Sequence, residues 1–316
     1  MARLIYITRL LVFLLLFSIS GQSAADLTLL SQNLNRLFDD QRDGKEEKVL
    51  TLGQYKKRLQ HVGTKIARDF DFPDVLALQE VENLRILEQL AQQIQQQHGR
   101  VYQPVLIEGN DPSGIDVGFL VRQPWRITRQ QALFADHPYR SQGDKLFARP
   151  PLLIELCQVQ CLYVINVHLR SMRGLRSAKH GIRIAGKRRL QAETLARWIN
   201  ELQQDRPKAK LILTGDFNAL YPSDAYVDTV GTLIGNPDNK RPRWKSPDLI
   251  QQDLLDISQQ VTPKQRYSYL YKGEQQQLDY ILVSQNLQSH LRSIEFSELD
   301  FSFSDHAAII ARFDID

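Results

Sequence analysis

The sequence has few cysteines, few long apolar runs and no linker-like segment, and each of these absences excludes a class of protein or of site. The 316 residues include two cysteines, which by themselves cannot complete a zinc site. Beyond residue 25 no apolar stretch is long enough to cross a bilayer. No Pro/Gly/Ser-rich linker, internal repeat or abrupt change of composition divides the chain. We therefore expect a single domain after residue 25.

The first 25 residues have the composition of a targeting segment. Arg3 and Arg9 flank the start, Leu10 to Phe17 is almost wholly apolar, and Ser23-Ala24-Ala25 offers small residues at a cleavage site. An uncleaved membrane anchor is the alternative, but the polar residues after the apolar run and the small triplet favour cleavage.

We therefore expect residues 1–25 to be a signal peptide and residues 26–316 to be an exported domain, periplasmic or secreted, with no stable membrane anchor after cleavage. The sequence carries no clear oligomerisation signal, and we expect a monomer. Export also bears on Cys157 and Cys161, which lie between two apolar runs in LLIELCQVQCLYVINVHL. This pattern is typical of a β-hairpin, and an oxidising compartment makes a disulfide across its mouth plausible.

The charge balance is informative only locally. The chain has 40 Lys and Arg against 36 Asp and Glu, and removing Arg3 and Arg9 leaves 38 against 36. Eight cations and no acid lie between residues 170 and 189, which leaves 30 basic against 36 acidic residues in the rest of the mature chain. The eight are Arg170, Arg173, Arg176, Lys179, Arg183, Lys187, Arg188 and Arg189. A cationic loop on a mildly acidic body indicates a polyanion bound at one place, and the alternative is a solvated surface loop.

The spacing of apolar residues predicts strands and helices that alternate along the chain. Helical spacing covers residues 55–70, 84–97 and 191–202. Strand-like runs cover residues 75–78, 101–107, 117–121, 152–156, 162–167, 211–213, 267–271, 278–283 and 307–313. Hairpins mix with strand–helix units, so the fold class is α/β with a mixed sheet or two stacked sheets.

Polar, chemically capable side chains recur where predicted strands begin or end. The central case is AKLILTGDFNAL, in which Asp216 and Asn218 follow a predicted buried strand and lie in the loop at its end. Other strand ends carry Asn33, Asn35, Glu80, Asn166, His168, Asp279, Asp305 and His306. Singly, each has a structural interpretation: a turn residue, a helix-start acid, a packed core histidine or a strand-edge charge. Their recurrence favours a shared site.

The donor types in this set suit a hard divalent cation. Carboxylate and amide oxygens without thiolates favour Mg²⁺, with Mn²⁺ or Ca²⁺ as alternatives. His306, next to Asp305, could act as a base whose tautomer a carboxylate holds, and His168 could neutralise or protonate an oxyanion. A metal, two histidines and an acidic pair fit hydrolysis of a phosphate ester.

The ordered motifs QNLN, LQEVEN, GIDVGFLVR, NVHLRS, TGDFNA, LDYILVS and SDHAAI resemble those of the endonuclease/exonuclease/phosphatase superfamily. That superfamily includes pancreatic-type deoxyribonucleases, AP endonucleases, neutral sphingomyelinases and inositol-polyphosphate phosphatases. The resemblance runs from about Leu27 to Phe313. It implies a four-layer α/β sandwich, in which two mixed β-sheets pack face to face with helices outside.

The resemblance also implies roles for individual residues. Glu80 would be the principal metal ligand with Asn33 beside it, and Asp305 would lie at or near the metal. Asp216 would orient or activate water, and Asn218 would hold a phosphate oxygen. The remaining catalytic roles fall to His306 as base or phosphate contact, Asp279 as the carboxylate that polarises it, and His168 as a phosphate or leaving-group contact.

The substrate contacts implied in the same way are Arg149, Arg170 and Asn166, with Asp116 as a supporting residue from a neighbouring strand. The match at Arg149 is looser than the others. Asn35 departs from the pattern, because related sequences often have an acid there, and this departure puts a second metal in doubt.

Three functions follow, in decreasing order of support. The first is an exported nuclease that acts on DNA, with RNA as an alternative, and uses the cationic segment along the nucleic-acid backbone. The second is a lipid or small-molecule phosphodiesterase or phosphatase, although Phe134, Tyr139 and Phe147 form no convincing apolar wedge. The third is a non-catalytic binding module on the same fold.

Overall fold

The computed structural model describes residues 25–222, 224–238, 240 and 242–315. The predicted signal peptide therefore lies outside the described residues except for Ala25, and its cleavage stays a prediction. The strands, in chain order, are β1 (Ala25–Leu37), β2 (Val75–Val81), β3 (Tyr102–Leu106), β4 (Asp116–Arg122), β5 (Arg126–Ala132), β6 (Pro138–Tyr139), β7 (Ser141–Lys145), β8 (Leu152–Cys157), β9 (Cys161–His168), β10 (Lys210–Asp216), β11 (Leu254–Asp256), β12 (Tyr269–Tyr271), β13 (Glu274–Gln276), β14 (Asp279–Ser284), β15 (Leu291–Phe296) and β16 (Ile309–Ile315). The helices are α1 (Leu52–Arg68), α2 (Leu84–His98), α3 (Gly181–Asp205), α4 (Thr229–Ile234) and α5 (Gln285–Gln288), with a 3₁₀ turn at Ile257–Gln260.

Among the described residues the strands form two six-stranded mixed sheets and two small hairpins. The first sheet has the order β15-β16-β1-β2-β4-β3, and the second has the order β11-β14-β10-β9-β8-β5. Each sheet contains one parallel pair, β1 with β2 and β9 with β10, and is otherwise antiparallel. The hairpins are β6–β7 and β12–β13.

The two sheets pack face to face because successive residues of a strand point to opposite faces. In β2, Val75 and Ala77 join the core between the sheets, whereas Leu76 packs outward under α1 and α2. In β10, Ile212 faces the other sheet, and its neighbours pack beneath α3. Central strands are thus buried on both faces and read as continuous apolar runs. The result is the predicted four-layer α/β sandwich.

The helices of the outer layers begin and end at residues that satisfy their free backbone groups. Thr51 and Gln54 form a capping box at the start of α1. Asn83 accepts the Ile86 amide at the start of α2, and Gly99 ends that helix in the left-handed conformation. Leu87 and Leu90 of α2 are fully buried, and each such side chain contributes about 1.5–3 kcal/mol relative to exposure.

The central helix α3 begins ten residues before the predicted start at residue 191. The predicted cationic loop is therefore partly helical, because residues 181–189 belong to α3. The buried residues of this first part of α3 are Gly181, Ala185 and Arg188. Because one of them is an arginine, the apolar residues here do not recur with the spacing that predicts a helix. The predicted disulfide is formed, since Cys157 and Cys161 are joined at the mouth of the β8–β9 hairpin. Over the part of the chain that the structure describes, no helix has the length and apolarity needed to cross a membrane.

Candidate active site

Chemically capable residues meet at one edge of the paired sheets because β10 is flanked in register by β9 and β14. Asp216 at the end of β10 lies opposite Asp279 on one side and opposite His168 on the other. The end of β10 needs glycine at position 215, where φ is +129° and a Cβ would lie 2.1 Å from the Val167 carbonyl oxygen. The strand order thus fixes three functional side chains in a row.

Backbone bulges turn Glu80 toward the same edge. The β1–β2 register shifts after Asn33, where Asn35 and Arg36 have φ of 48° and 59°, and Glu80 on β2 has φ of 60°. Non-glycine residues in this region are uncommon and cluster at functional sites, and bulges redirect side chains. The Asn33 amide nitrogen lies 3.2 Å from Glu80 Oε1 and 3.2 Å from Asp216 Oδ2.

His306 and Asp279 form a buried pair, with His306 Nδ1 2.7 Å from Asp279 Oδ2. The Gln32 side chain donates to the His306 carbonyl, and the Ser304 hydroxyl accepts the His306 amide. The ring of Tyr269 packs 5.0 Å from the imidazole. Because Asp279 occupies Nδ1, the Nε2 atom of His306 is the ring nitrogen left for a substrate.

His168 packs against the other side of Asp216. Its Nε2 atom lies 3.4 Å from Asp216 Oδ2 and 3.9 Å from Glu80 Oε1. Arg149 holds the chain behind it by donating to the carbonyls of His168 and Leu169 and by pairing with Asp111 at 2.5 Å. Arg149 therefore positions His168.

Burial and neighbouring charges shift the pKa values of Asp216, His306 and His168 in different directions. Burial, with the nearby Asp279 charge, raises the pKa of Asp216 to about 7. Burial alone would lower the pKa of His306, but the charge and hydrogen bond of Asp279 outweigh it and raise that pKa to about 10. Burial, with the nearby Arg149 charge, holds the pKa of His168 well below its usual range. At neutral pH, His306 is thus cationic and His168 neutral.

The donor set fits a hard divalent cation. Among the described residues, one group of acids and histidines brings its ligand atoms within 4.8 Å of one another: Asp216, Asp279 and His306. Beside it, the carboxylate of Glu80 stays 18% exposed. The polarised amide of Asn33 lies between the carboxylates of Glu80 and Asp216, so this position favours positive charge. Oxygen and imidazole donors without thiolate are the ligands such ions take.

Two residues predicted to contact substrate, Asn166 and Arg149, make other contacts in the structure. Asn166 is fully buried between the sheets, where it accepts from Gln79 and donates to the carbonyls of Leu78 and Gly118. In this structure the polar atoms of Asn166 tie the two sheets together, and the substrate contact predicted for it stays a prediction. The guanidinium of Arg149 likewise donates to Asp111 and to the carbonyls of His168 and Leu169, and the phosphate contact predicted for it stays a prediction.

The remaining predicted residues lie around the cluster. Asn218 has φ of 50°, and its side chain donates to Asp216 Oδ2 and to the Leu169 carbonyl. Asp305 is partly exposed beside His306, and its charge helps to raise the pKa of that imidazole. Asp116 is buried on β4, opposite Val81, with Lys45 Nζ 3.9 Å away. Burial raises the pKa of Asp116 to about 7. The roles predicted for these three residues stay predictions.

The cationic segment divides into structural and free charges. Arg188 is fully buried, pairs with Asp224 at 3.2 Å and donates to the carbonyls of Arg170 and Asn218. Arg183 and Lys187 pair with Asp144. Arg170 is half-buried and donates to Ser171. Within the described part of the chain, the cations that are exposed and unpaired in this segment are Arg173, Arg176 and Lys179.

The sequence interpretation missed two residues that shape the site. Gln79 directly follows the predicted strand at residues 75–78, and its side-chain amide donates to Ser31 of the same sheet and to Asn166 of the other sheet. Tyr269, which packs on His306, lies in YSYLY, where alternating tyrosines could have indicated an aromatic face beside the site.

The chain is similar to a known protein family and to solved structures. The sequence profile of the endonuclease/exonuclease/phosphatase family matches residues 31–304. No curated protein sequence matches the chain. Among solved structures, a Bacteroides vulgatus endonuclease/exonuclease/phosphatase has a TM-score of 0.61 at 14% identity, covering 92% of this chain and 100% of that one.

Two further similar structures contain DNA. D. rerio TDP2 complexed with a single-strand DNA product has a TM-score of 0.57 at 19% identity, covering 92% of this chain and 99% of that one. The 3′ phosphatase NExo from Neisseria bound to a product DNA hairpin has a TM-score of 0.57 at 18% identity, covering 91% and 99%. These likenesses show the fold.

Proposed function

The chain belongs to the endonuclease/exonuclease/phosphatase family of metal-dependent phosphoric-ester hydrolases, and we propose that it is an exported nuclease that cleaves phosphodiester bonds of DNA. RNA is the alternative substrate of the same site. The observation that carries this proposal is a row of unpaired cations that begins five residues after His168.

These cations are Arg173, Arg176 and Lys179, exposed in the loop that connects β9 to α3. His168 ends β9, so the loop leaves directly from the catalytic edge. A regularly charged polyanion gains affinity from such a row by releasing its counterions. A small phosphate ester would not reach along it.

An aromatic hairpin flanks the opposite side of the cluster. The β12–β13 hairpin leads into β14, which carries Asp279, whereas β9 lies on the other side of β10. Tyr269 packs on His306, and Tyr271, two residues along the same strand, is 50% exposed. Exposed aromatic rings beside a cationic groove are typical of surfaces on which bases stack.

The buried groups have complementary parts in hydrolysis. Asp216, with a pKa of about 7, accepts a proton from the attacking water as the new phosphorus–oxygen bond forms. The cationic His306, held by Asp279, stabilises charge on the phosphoryl oxygens while the bond to the leaving oxygen breaks in line. His168 stays neutral and offers a hydrogen bond from the opposite side.

Glu80 would hold the divalent cation, which we propose to be Mg²⁺, and Asn33 would join it through its amide oxygen, which here accepts the Asn35 amide while the amide nitrogen faces Glu80. When bound, such an ion neutralises phosphate charge and lowers the pKa of water.

Two DNA-containing structures of similar fold also support a nucleic-acid substrate, although their identities of 19% and 18% carry no residue roles. The lipid alternative is less well supported. Tyr139 and Phe147, which would have to dock on a membrane, are buried. Export is proposed from the N-terminal composition, and the formed Cys157–Cys161 disulfide is compatible with an oxidising space.

The test is cleavage of plasmid DNA, single-stranded DNA and RNA with Mg²⁺, with and without chelator. We expect DNA nicking that chelator abolishes and that Asp216→Ala reduces by about 10³-fold or more. Absence of cleavage of any nucleic acid under every divalent metal would refute the nuclease proposal. Release of phosphocholine from vesicles under the same conditions would favour the lipid alternative.

The cationic row is tested separately by the salt dependence of DNA binding. Replacing Arg173, Arg176 and Lys179 by Gln should lower the slope of log K against log salt by about 2 to 3. The control replaces Arg206 and Lys208, which precede β10, and Arg292 of β15, all toward the other end of the sheets, and should leave the slope unchanged; Arg206 pairs with Glu155 and Arg292 with Asp26, so the folding of this variant is checked first. Equal slopes for the two triple variants would contradict this assignment.

A further inference from the structure

A second acidic cluster lies in the loop between β1 and α1, apart from the catalytic group. Asp39, Asp43 and Glu47 belong to this loop, and Glu82 reaches it from just beyond the end of β2. Asp39, Glu47 and Glu82 are at most 6% exposed. Glu82 and Glu47 each accept one hydrogen bond from the loop backbone. Glu82 Oε2 accepts the Asp39 amide at 2.7 Å, and Glu47 Oε1 accepts the Asp43 amide at 3.1 Å.

Neighbouring cations do not balance these acids. Arg85 pairs with Asp39 at 2.6 Å and is shared with Asp40 at 2.8 Å. Lys45 points away to Glu108, at 2.6 Å. Arg42 approaches Glu47 only to 4.0 Å, with its side chain 68% exposed. Buried carboxylates without a cation are costly, because charge in a low-dielectric interior needs a partner.

Two carboxylate oxygens in this cluster are buried without a hydrogen-bond partner among the described residues: Glu47 Oε2 and Glu82 Oε1. Leaving such an oxygen unsatisfied is destabilising, and buried polar atoms in proteins nearly always have a partner. These two oxygens are an independent sign that the cluster takes a positively charged ligand.

The loop sequence has the spacing of a calcium-binding loop. Asp39, Gln41, Asp43 and Glu47 fall at the first, third, fifth and ninth positions, and Gly44 falls at the sixth, where a sharp turn is needed. Gly44 has φ of +86°. The twelfth position is Leu50 instead of the usual glutamate.

We propose that the Asp39–Glu47 loop, closed by Glu82 in place of the usual twelfth-position acid, is a Ca²⁺ site separate from the catalytic centre. The amide nitrogen of Asn83 now lies between Asp39 Oδ2 and Asp43 Oδ2, at 2.8 Å and 2.9 Å, where it satisfies both oxygens. Among the described residues, the acids of this loop do not bring their ligand atoms within 4.8 Å of one another as the catalytic group does, so the proposal requires the loop to contract around the ion. Ca²⁺ tolerates such irregular oxygen sites, whereas Mg²⁺ demands near-ideal octahedral geometry.

The experiment titrates Ca²⁺ into the mature protein held in millimolar Mg²⁺, with calorimetry and thermal unfolding as readouts. We expect one Ca²⁺ per chain with an affinity between micromolar and millimolar, and a melting temperature that rises with Ca²⁺. Glu47→Gln and Asp43→Asn should each weaken binding at least about tenfold. Glu46→Gln, which removes an exposed acid from the same loop, should bind as the wild type does. Glu80→Gln, at the catalytic edge, should also retain this binding.

Stability without Ca²⁺ distinguishes an ion site from a purely structural network. Glu47→Gln removes a buried unpaired charge and keeps an oxygen for the Asp43 amide, so its metal-free melting temperature should equal or exceed that of the wild type. A lower value would indicate a structural network and overturn the proposal. The proposal would also be overturned if the wild type bound no Ca²⁺. It would be overturned as well if Asp43→Asn bound Ca²⁺ with the affinity of the wild type; the side chain of Asp43 is exposed, so this variant should fold. Loss of the site in Glu80→Gln alone would assign the binding to the catalytic centre instead.

Discussion

The protonation states of Asp216 and His306 define the pH range in which the site can work. The pKa of Asp216 is raised to about 7, so below that pH the carboxyl carries a proton and cannot accept another. The pKa of His306 is raised to about 10, so above that pH the imidazole loses its charge. We predict a bell-shaped kcat/KM profile with limbs near these values.

The metal dependence of this profile provides its check. A divalent cation beside Asp216 stabilises the ionised carboxylate, so the acidic limb should move to lower pH as Mg²⁺ rises. The alkaline limb should move less, because His306 owes its raised pKa to Asp279. A profile flat from pH 5 to pH 9 at low Mg²⁺ would contradict the assignment of Asp216 as proton acceptor.

The pair of Asp279 and His306 should behave as one unit. Asp279→Asn keeps the shape of the side chain but removes the charge that raises the pKa of His306. We predict a fall of about 10²–10⁴-fold in kcat and an alkaline limb moved toward neutral pH.

A double-mutant cycle measures this coupling. The variant combining Asp279→Asn with His306→Gln should be hardly worse than His306→Gln alone, because Asp279 acts through the imidazole. Fully additive losses would show instead that Asp279 contacts the substrate or the metal by itself.

Among the secondary-structure elements, the two sheets are joined at the catalytic edge by the polar contact of Gln79 with Asn166. Asn166→Leu would leave the carbonyls of Leu78 and Gly118 without their donor, in a region closed to water. We predict a loss of about 2–4 kcal/mol in the free energy of unfolding, measured by urea denaturation. If Asn166 bound substrate instead, KM would rise with stability unchanged, and this outcome would support the predicted substrate contact.

The elements that the sequence predicted well are those buried on both faces. The runs around Val75 and Leu211 are apolar throughout, so their periodicity and length identify strands. β5 and β15 were missed because they are edge strands, and one face of such a strand meets solvent and carries polar residues. The start of α3 was missed because Arg188 takes a position that an apolar residue would fill in a helix pattern, and its partners, Asp224 and the carbonyls of Arg170 and Asn218, are distant in sequence.

The candidate site was predictable to the extent that it follows from strand ends. Asp216, His168 and Asp279 meet because β9, β10 and β14 are neighbours in register, and polar residues at the ends of apolar runs already indicate this. The bulge at Glu80 and the occupied side chain of Asn166 depend on contacts between distant segments. The spacing of residues along the sequence does not predict contacts of this kind.

At the scale of the whole molecule, the catalytic cluster requires both sheets at once. Asn33 and Glu80 come from the first sheet, whereas Asp216, Asp279 and His168 come from the second. His306 precedes β16 of the first sheet yet pairs with Asp279 of the second. Unfolding of either sheet must therefore abolish activity, so loss of activity should coincide with loss of structure.

The proposed export also belongs to this scale, because cleavage would set the first residue of the folded chain and export would set the redox state of its two cysteines. Cleavage after Ala25 would leave Asp26 as the first residue, whose exposed side chain pairs with Arg292 at 3.0 Å, and would keep the buried Leu27. We predict a mature protein beginning at Asp26, measured by mass spectrometry of periplasmic and medium fractions, with no free thiol on alkylation. A version lacking residues 1–25 and kept in the cytoplasm should have reduced cysteines and be less stable by about 2 kcal/mol, the loop-closure contribution of so short a disulfide loop. Recovery of the intact chain in the membrane fraction would instead support the uncleaved anchor.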